Sequence, residues 1–249
     1  MMNSDDYKLM SIPTENIMNI DGEVPLNNCG LMSIGMKVPN FTAVTTMGVI
    51  TMSDFEGRWV VFFSHPGAFS PVCTTEYLSF ANIYQSFEDR NAQVLALSVN
   101  SNLSHLAWIN DIYDEEGVII PFPVIADING NIARQYGMIS RYASKTEAAR
   151  NVLIIDPRQI VRAVLIYPLT NGRNIPEILR LLTALQVSDE YNVVTPANWF
   201  PNQPVMVPAP ETYDQVVKRI EDSSKVGLSC REWWWCYKQL PPDDEKIVK

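Results

Sequence analysis

The side chain best suited to chemistry is Cys73, which closes the segment HPGAFSPVC (residues 65–73) shortly after the apolar run WVVFF. A cysteine reacts as its thiolate, so a nucleophilic cysteine needs surroundings that stabilise a negative charge. The helical spacing of Tyr77, Phe80 and Phe87 predicts a helix with Cys73 in its first turn. Unpaired backbone N–H groups and the helix dipole favour an anion there. A cysteine near a helix start is more often a packing residue, so its neighbours must decide.

Strands and helices alternate along the chain around this segment. The runs WVVFF and AQVLALSV are typical of strands buried on both faces. The segment SHLAWINDIYDEE is typical of a helix with Leu106, Ile109 and Tyr113 on its apolar face. RNVLIIDPRQIVRAVLIY predicts a β-hairpin about Asp156-Pro157. This alternation predicts an α/β fold in which helices flank a mixed β-sheet.

Three regions of the chain differ in composition. Residues 1–30 have no clear period and form an N-terminal extension of unknown purpose, whereas residues 31–187 carry the α/β pattern. Residues 188–249 are predicted to form an arm laid over this domain or over a neighbouring copy. Five prolines fall between Pro196 and Pro210, so that stretch is extended and cannot join a central sheet.

Composition and charge exclude several classes of protein. The 47% hydrophobic content is that of a globular protein, and 19 Lys and Arg against 28 Asp and Glu give a net charge of −9. Nucleic acid and anionic membrane are therefore poor general partners. The N-terminus lacks the pattern of a secretory signal, and the longest apolar runs are too short to cross a bilayer. We therefore expect a soluble cytoplasmic protein whose four cysteines are mostly thiols.

The spacing around Cys73 resembles the peroxidatic motif of the peroxiredoxins. Pro66, Ser70 and Cys73 match that motif position by position within PGAFSPVC. Further segments agree in order and spacing: CTTE, IPFPVIAD, YPLTNGR, and ARNVLIIDP, which puts Arg150 at the family's second active-site position. The resemblance spans roughly residues 34–237. It is closest to archaeal and bacterial members of the one-cysteine-like (peroxiredoxin 6-type) branch that end in an aromatic-rich cysteine pair.

The resemblance implies a thioredoxin-like fold and a thiol-dependent peroxidase acting on hydrogen peroxide and small organic hydroperoxides. Cys73 is then the nucleophile, which becomes a sulfenic acid. Arg150 holds the thiolate and the charge that develops on the departing oxygen. The Ser70 hydroxyl contacts the peroxide, and Pro66 walls the sulfur from water. Ser70 departs from the commoner Thr and lacks the methyl group that fixes the hydroxyl rotamer. No metal, flavin or haem is required, because the cysteine carries the redox chemistry.

Other polar residues near the motif have less specific signals. By resemblance, Glu76 and Arg173 brace Arg150; the alternative is an ordinary surface ion pair. His65 is a candidate for contact with the active-site pocket, although a lone histidine is usually just hydrogen-bonded. A metal site from His65, His105 and two cysteines lacks the usual ligand spacing. Cys29, in the N-terminal extension, has no partner that the sequence identifies.

The segment CREWWWC carries Cys230 and Cys236 six residues apart. Three successive tryptophans cannot share one face of a helix or strand, so some must meet another surface. A disulfide within the segment and a zinc half-site are less favoured than a resolving cysteine on a mobile arm. The resemblance favours Cys236 as the resolving residue, reaching across a dimer, with Cys230 exchanging with it. It also implies reduction by a dithiol such as thioredoxin, and dimers assembled into a decamer.

Two other classes of function stay open at this stage. A redox-controlled holdase chaperone or a structural ring protein would use exposed aromatic residues to bind clients, with Cys73 only sensing oxidation. Peroxide consumption under turnover separates these from a peroxidase. A plain thioredoxin-like disulfide carrier is disfavoured because the chain has no C-x-x-C motif.

Overall fold

The computed structural model describes residues 31–139, 144, 146–223 and 226–241. The predicted N-terminal extension, with Cys29, lies outside the described residues. Seven of the described strands form one mixed sheet, in the order β2-β1-β5-β4-β3-β6-β7. In chain order they are β1 (Thr42–Thr45), β2 (Gly48–Thr51), β3 (Trp59–Ser64), β4 (Ala92–Ser98), β5 (Val124–Ala126), β6 (Arg150–Ile155) and β7 (Val161–Tyr167).

Helices connect and cover these strands, as the sequence pattern predicts. The central strand β3 runs parallel to β4 and antiparallel to β6, and β6 and β7 form the predicted hairpin. The helices of this part are α1 (Pro71–Asn82), α2 (Tyr84–Glu88), α3 (Asn102–Glu116), α4 (Asn131–Gln135) and α5 (Ile175–Tyr191), with a 3-10 turn at Met52–Phe55. The predicted mixed sheet flanked by helices is confirmed.

The core lies on both faces of the sheet because successive side chains of β3 point to opposite sides. Val61 and Phe63 face a cluster that includes residues of α1, α3 and α5. Val60 and Phe62 face a second cluster with Tyr136. A strand buried on both faces must be apolar at every position, which explains the continuous run WVVFF.

The predicted apolar face of α3 is wrong. His105, Trp108 and Ile112 are buried, whereas Leu106 is 42% and Tyr113 51% exposed. A histidine can be buried at little cost when its ring is hydrogen-bonded. His105 Nε2 lies 2.6 Å from the Ser98 hydroxyl at the end of β4, so the histidine has a hydrogen-bond partner on the buried face that it shares with Trp108 and Ile112.

The segment after α5 forms a second, smaller sheet. Its elements are β8 (Val205–Met206), α6 (Tyr213–Asp222), β9 (Leu228–Glu232) and β10 (Trp235–Lys238), with the strand order β8-β10-β9. The proline-rich stretch stays outside the larger sheet, as predicted. Trp199 and Val205 are buried in a cluster with Ala184 and Val187 of α5, so this segment packs on the domain of the same chain. None of the helices in the described ranges is long and apolar enough to cross a membrane.

Candidate active site

Cys73 follows the loop that connects the central strand β3 to the helix α1. The chain leaves β3 at Ser64, crosses the loop 65–70, and begins α1 at Pro71. Proline suits this first helical position because it has no N–H to leave unpaired. The first helical bond from this loop runs from the Thr74 N–H to the Ser70 carbonyl, at 2.9 Å. Cys73 is therefore in the first turn, as predicted, at the positive end of the helix dipole.

Arg150 reaches the sulfur from the neighbouring strand. Strand β6 runs antiparallel to β3, so Arg150, the first residue of β6, lies at the same end of the sheet as the last residue of β3 and the loop that follows it. Arg150 Nη1 donates to Cys73 Sγ at 3.3 Å. Both residues are buried, with exposed fractions of 0% for Cys73 and 1% for Arg150. The Arg150 guanidinium is therefore in direct contact with a Cys73 thiol that is shielded from water.

Glu76 joins the two arginines in one buried network. Its Oε2 accepts from Arg150 Nη1 at 2.8 Å and from Arg173 Nη2 at 2.6 Å. Its Oε1 accepts from Arg173 Nε and from the Arg173 backbone N–H, each at 2.9 Å. All three side chains are buried, so the alternative of a surface ion pair is wrong.

The network places a net positive charge beside the sulfur. Arg150 and Arg173 contribute two positive charges, and Glu76 contributes one negative charge. The excess positive charge lies within hydrogen-bond distance of Cys73 Sγ, where it can stabilise negative charge that develops during a reaction.

The surrounding backbone fixes both guanidinium groups. Arg150 Nε donates to the Leu169 carbonyl at 3.0 Å. Arg173 Nη1 donates to the Ser64 carbonyl at 2.8 Å and to the Asn151 carbonyl at 3.1 Å, and its guanidinium lies over the Phe63 ring. A planar group held at several donors cannot swing away from the sulfur. The Leu169 carbonyl is a contact that the sequence did not indicate, because a backbone acceptor leaves no residue-type signal.

His65 is a buried neutral residue beside this network. Its Nε2 lies 2.8 Å from the Tyr77 hydroxyl. Burial, and then the charges of His105 and Arg173, hold the pKa of His65 well below its usual 6.5. Burial, and then the nearby Cys73 sulfur, raise the pKa of Tyr77 well above 10. Burial also lowers the pKa of His105 to about 4.

No metal site is formed by these histidines. The nearest partners of the two Nε2 atoms are the hydroxyls of Tyr77 and Ser98. In the part of the chain that the structure describes, no cluster of three or more His, Cys, Asp or Glu side chains could hold a metal ion.

Pro66 and Ser70 lie in the loop that precedes Cys73, and both are half-buried. Ser70 is the N-cap residue of α1, but its hydroxyl makes no capping bond to that helix. The hydroxyl therefore stays available for a ligand. Asn100, which the sequence reasoning missed, accepts a hydrogen bond from the Ala68 N–H of this loop. Its position directly after a buried strand next to β3 was the available signal.

Cys230 and Cys236 are bonded to each other in the hairpin of β9 and β10. The expectation that disfavoured a disulfide within this segment is therefore wrong for the state that the structure describes. The two residues face each other across an antiparallel strand pair, with Cα atoms 4.0 Å apart. Trp233 and Trp234 form the turn between the strands, and Trp235 begins β10. Trp233 and Trp234 are exposed. Cys73 is a free thiol.

Comparison with known proteins agrees with this geometry. Residues 34–164 match the AhpC/TSA family, and residues 184–223 match the C-terminal domain of 1-Cys peroxiredoxin. The chain is 51% identical over 210 residues to Peroxiredoxin 2 of Caldanaerobacter subterraneus subsp. tengcongensis, covering 84% of this chain and 94% of that protein. It is 45% identical to the Peroxiredoxin of Aquifex aeolicus, covering 84% and 98%.

The chain belongs to the peroxiredoxin family. It is a thiol peroxidase, an oxidoreductase that works with peroxide and thiol reductants. Solved peroxiredoxin structures confirm the thioredoxin-like fold. The yeast mitochondrial 1-Cys peroxiredoxin is 36% identical with a TM-score of 0.73, covering 84% of this chain and 100% of that one. Peroxiredoxin 6 of Arenicola marina is 30% identical with a TM-score of 0.75, covering 85% and 100%.

Proposed function

We propose that this peroxiredoxin reduces hydrogen peroxide and small organic hydroperoxides through a Cys73 sulfenic acid. The observation that carries the proposal is the 3.3 Å contact between Arg150 Nη1 and Cys73 Sγ inside a buried charge network. The thiolate attacks one peroxide oxygen, the O–O bond breaks, and the other oxygen leaves as an alkoxide or hydroxide. That oxygen takes up a proton, while the cysteine sulfur is oxidised by two electrons to the sulfenic acid.

Arg150 and the loop have distinct roles in this step. Negative charge moves from sulfur to the departing oxygen, and the Arg150 guanidinium is placed to stabilise it at both positions. Glu76 and Arg173 hold Arg150 in that orientation. The Ser70 hydroxyl positions the peroxide, and Pro66 covers the sulfur without adding a competing N–H donor. His65 lines the same pocket as a neutral residue and does not supply charge.

The sulfenic acid is then resolved by the C-terminal cysteines in their reduced form. The Cys236 thiol attacks the Cys73 sulfur, which releases water and gives a Cys73–Cys236 disulfide. Cys230 next attacks Cys236, which frees the Cys73 thiolate and leaves the Cys230–Cys236 bond. The cross-strand disulfide of the hairpin supports this sequence, because it is the product of that exchange. An external dithiol such as thioredoxin reduces it and completes the cycle.

Assembly supplies the second cysteine from another chain in this proposal. The tryptophans Trp233 and Trp234 are 40% and 49% exposed, and Tyr213 and Ile220 of α6 are 80% and 62% exposed. Such aromatic and apolar surface is typical of a protein interface. We propose dimers formed through the segment 188–249 and further assembled into a decamer. A reducing compartment suits the free Cys73 thiol, which supports a cytoplasmic location.

The test is a coupled assay with peroxide, purified protein and a thioredoxin system. Cys73→Ser should abolish turnover while circular dichroism stays that of the wild type. Cys29→Ser is the matched control, because no role is assigned to that thiol, and it should keep full turnover. Retained activity in Cys73→Ser would contradict the proposal. A wild-type protein that consumes no peroxide but suppresses client aggregation when oxidised would favour the redox-controlled holdase.

A further inference from the structure

Asn100 makes a hydrogen bond inside the loop that leads to Cys73. It lies just after β4, and its Oδ1 accepts from the Ala68 N–H at 3.0 Å and from the Ser98 hydroxyl at 3.0 Å. Both partners donate, so the atom between them must be the carbonyl oxygen rather than the amide nitrogen. The side chain is thus fixed from two sides.

The backbone of this loop is shaped around that oxygen. A Cβ atom on Gly67 would lie 3.0 Å from Asn100 Oδ1, so the loop approaches the amide at a distance that only glycine allows without displacement. Phe69 has a φ of 59°, in the left-handed region that non-glycine residues rarely adopt. Such a conformation persists only where neighbouring contacts hold it.

A chain of hydrogen bonds continues from Asn100 into α3. The Ser98 hydroxyl gives its proton to Asn100, so His105 Nε2, 2.6 Å from Ser98 Oγ, must be the donor in that contact. The Asn100 N–H also donates to Ser98 Oγ, at 3.3 Å. A series of hydrogen bonds therefore runs from the neutral His105, on the buried face of α3, through Ser98 and Asn100 to the loop.

The bond from the Ala68 N–H to Asn100 lies in the middle of the loop, between contacts that hold its two ends. Its first residue is held by the His65 N–H, which donates to the Leu97 carbonyl at 3.0 Å, and its end is fixed by the start of α1. Ala68 packs against the apolar cluster that contains Cys73. Displacement of Ala68 therefore shifts the backbone between Pro66 and Ser70, while the contact between Arg150 and the sulfur stays in place.

We propose that Asn100 is a positioning residue for peroxide reduction, which holds the loop 66–69 as one wall of the peroxide pocket over Cys73. The inference rests on the proposed role of Cys73. Asn100 touches neither sulfur nor peroxide. It acts by fixing where Pro66 and the Ser70 hydroxyl stand relative to the sulfur, and small misplacements of such groups have large effects on rate.

The test compares two reactions of Cys73 in the reduced full-length protein. Asn100→Ala should lower the second-order rate constant for oxidation by hydrogen peroxide about tenfold, followed by stopped-flow tryptophan fluorescence. Iodoacetamide must reach the same buried sulfur but gains nothing from groups that position a peroxide, so its rate constant should fall by much less than the oxidation rate constant. Asn100→Asp keeps an acceptor oxygen and should restore most of the oxidation rate. Asn40→Ala is the matched control, because Asn40 Oδ1 accepts from the Ser53 N–H at 3.0 Å in an exposed turn; it should change neither rate.

A double-mutant cycle tests the contact directly. Gly67→Ala places a methyl group against Asn100 Oδ1 and should slow oxidation by itself. Combined with Asn100→Ala, it should add little, because the oxygen that it meets is gone. Asn100→Ala with wild-type oxidation kinetics would overturn the inference, as would equal losses in both reactions without rescue by Asn100→Asp. If the wild type itself shows no oxidation of Cys73 by peroxide, the proposed function fails instead.

Discussion

The two cysteine sites of this chain differ in their place in the fold, in their charge surroundings and in their redox state, although Cys73 and Cys236 are both fully buried. Cys73 is fully buried at the start of a helix, and its sulfur faces the Arg150 guanidinium. Cys230 lies on the exposed edge strand of a small three-stranded sheet and is bonded to Cys236. The first site is built from the central strands of the large sheet and held by buried ion pairs, whereas the second is a short hairpin whose strand β9 is mostly exposed.

In the proposed cycle, the difference matches two separate tasks, peroxide reduction at Cys73 and reduction of the Cys230–Cys236 disulfide. A peroxide is small and can reach a buried sulfur, and its reduction gains from charges that are fixed and shielded from water. A dithiol reductant is a protein, so the disulfide that it reduces must be accessible. The exposed Cys230 side of the hairpin disulfide meets that requirement, whereas Cys73 and Cys236 are fully buried.

The largest effect on turnover should come from removing Cys236, which separates the oxidation of Cys73 from its resolution. Cys236→Ser should lose steady-state turnover with thioredoxin, because the sulfenic acid is no longer resolved, yet keep the first oxidation of Cys73. Under excess peroxide its Cys73 should pass to the irreversible sulfinic acid, which mass spectrometry detects as a gain of two oxygens. With stoichiometric peroxide, the wild type should pass through a covalent Cys73–Cys236 dimer that Cys230 then converts to the bond within one chain. Cys236→Ser should stay mainly a monomer on a non-reducing gel.

Cys230→Ser is the matched variant for this experiment. It should still form the Cys73–Cys236 dimer but release it slowly, because the exchange partner is missing. A dimer band that persists in Cys236→Ser and vanishes in Cys230→Ser would reverse the two roles. An oxidised wild type that stays monomeric with Cys73 blocked would place the bond within one chain.

Removal of the Arg150 charge should have the next largest effect. Arg150→Met should lower the rate constant for peroxide oxidation about 10² to 10³-fold, since a fixed donor at the developing charge is lost. The pH dependence of Cys73 alkylation should also shift to higher pH. Arg150→Lys keeps the charge without the planar fork, and we expect a loss of about tenfold. An unchanged alkylation profile in Arg150→Met would mean that the guanidinium does not stabilise the thiolate.

The sequence was informative where a residue type leaves a pattern. The central strand, the hairpin at Asp156 and the helix that begins near Cys73 follow from periodicity and turn residues, and they fix the end of the sheet at which Arg150 must lie. The buried face of α3 did not follow, because hydrophobicity ranks Leu106 and Tyr113 above a histidine. Only the contact from His105 to Ser98 shows why a polar residue lies inside.

The pairing of Cys230 with Cys236 was beyond sequence reasoning for a different reason. A spacing of six residues fits a loop, a metal half-site or two independent thiols, and only the strand register decides among them. Asn100 had only a weak signal, its position after a buried strand, because an asparagine there is ordinary until its contact with the Ala68 N–H is known. Long-range placement is the information that residue types lack.

Removal of the Glu76 carboxylate from the buried network should lower the free energy of unfolding. Glu76→Gln leaves two buried guanidinium groups facing each other, and the free energy of unfolding should fall by about 3 kcal/mol. Urea unfolding in a reducing buffer measures it. Glu177→Gln is the matched control, because its pair with Arg180 is partly exposed and should cost less than about 1 kcal/mol. Equal losses in the two variants would contradict the buried network as a source of stability.

The smallest effect concerns the neutral histidines behind the site. Burial keeps the pKa of His105 at about 4 in the folded chain, against about 6.5 when unfolded. At a pH above about 6.5, His105 is neutral in both the folded and the unfolded chain, so its contribution to stability does not change with pH. Below that pH the unfolded chain binds a proton that the folded chain rejects, and stability is lost as the pH falls from about 6.5 towards 4, by at most about 1.4 kcal/mol per pH unit.

His105→Gln isolates this contribution. The variant is less stable than the wild type at pH 7.5, because the bond to Ser98 is altered, but it lacks the titrating ring. The difference in free energy of unfolding between wild type and variant should therefore shrink between pH 6.5 and pH 5, since carboxylates common to both chains cancel. Urea unfolding at fixed protein concentration across this range measures it. Parallel curves would mean that folding does not lower the pKa of His105, which would contradict its burial as a neutral ring at the end of the hydrogen-bond chain to the Cys73 loop.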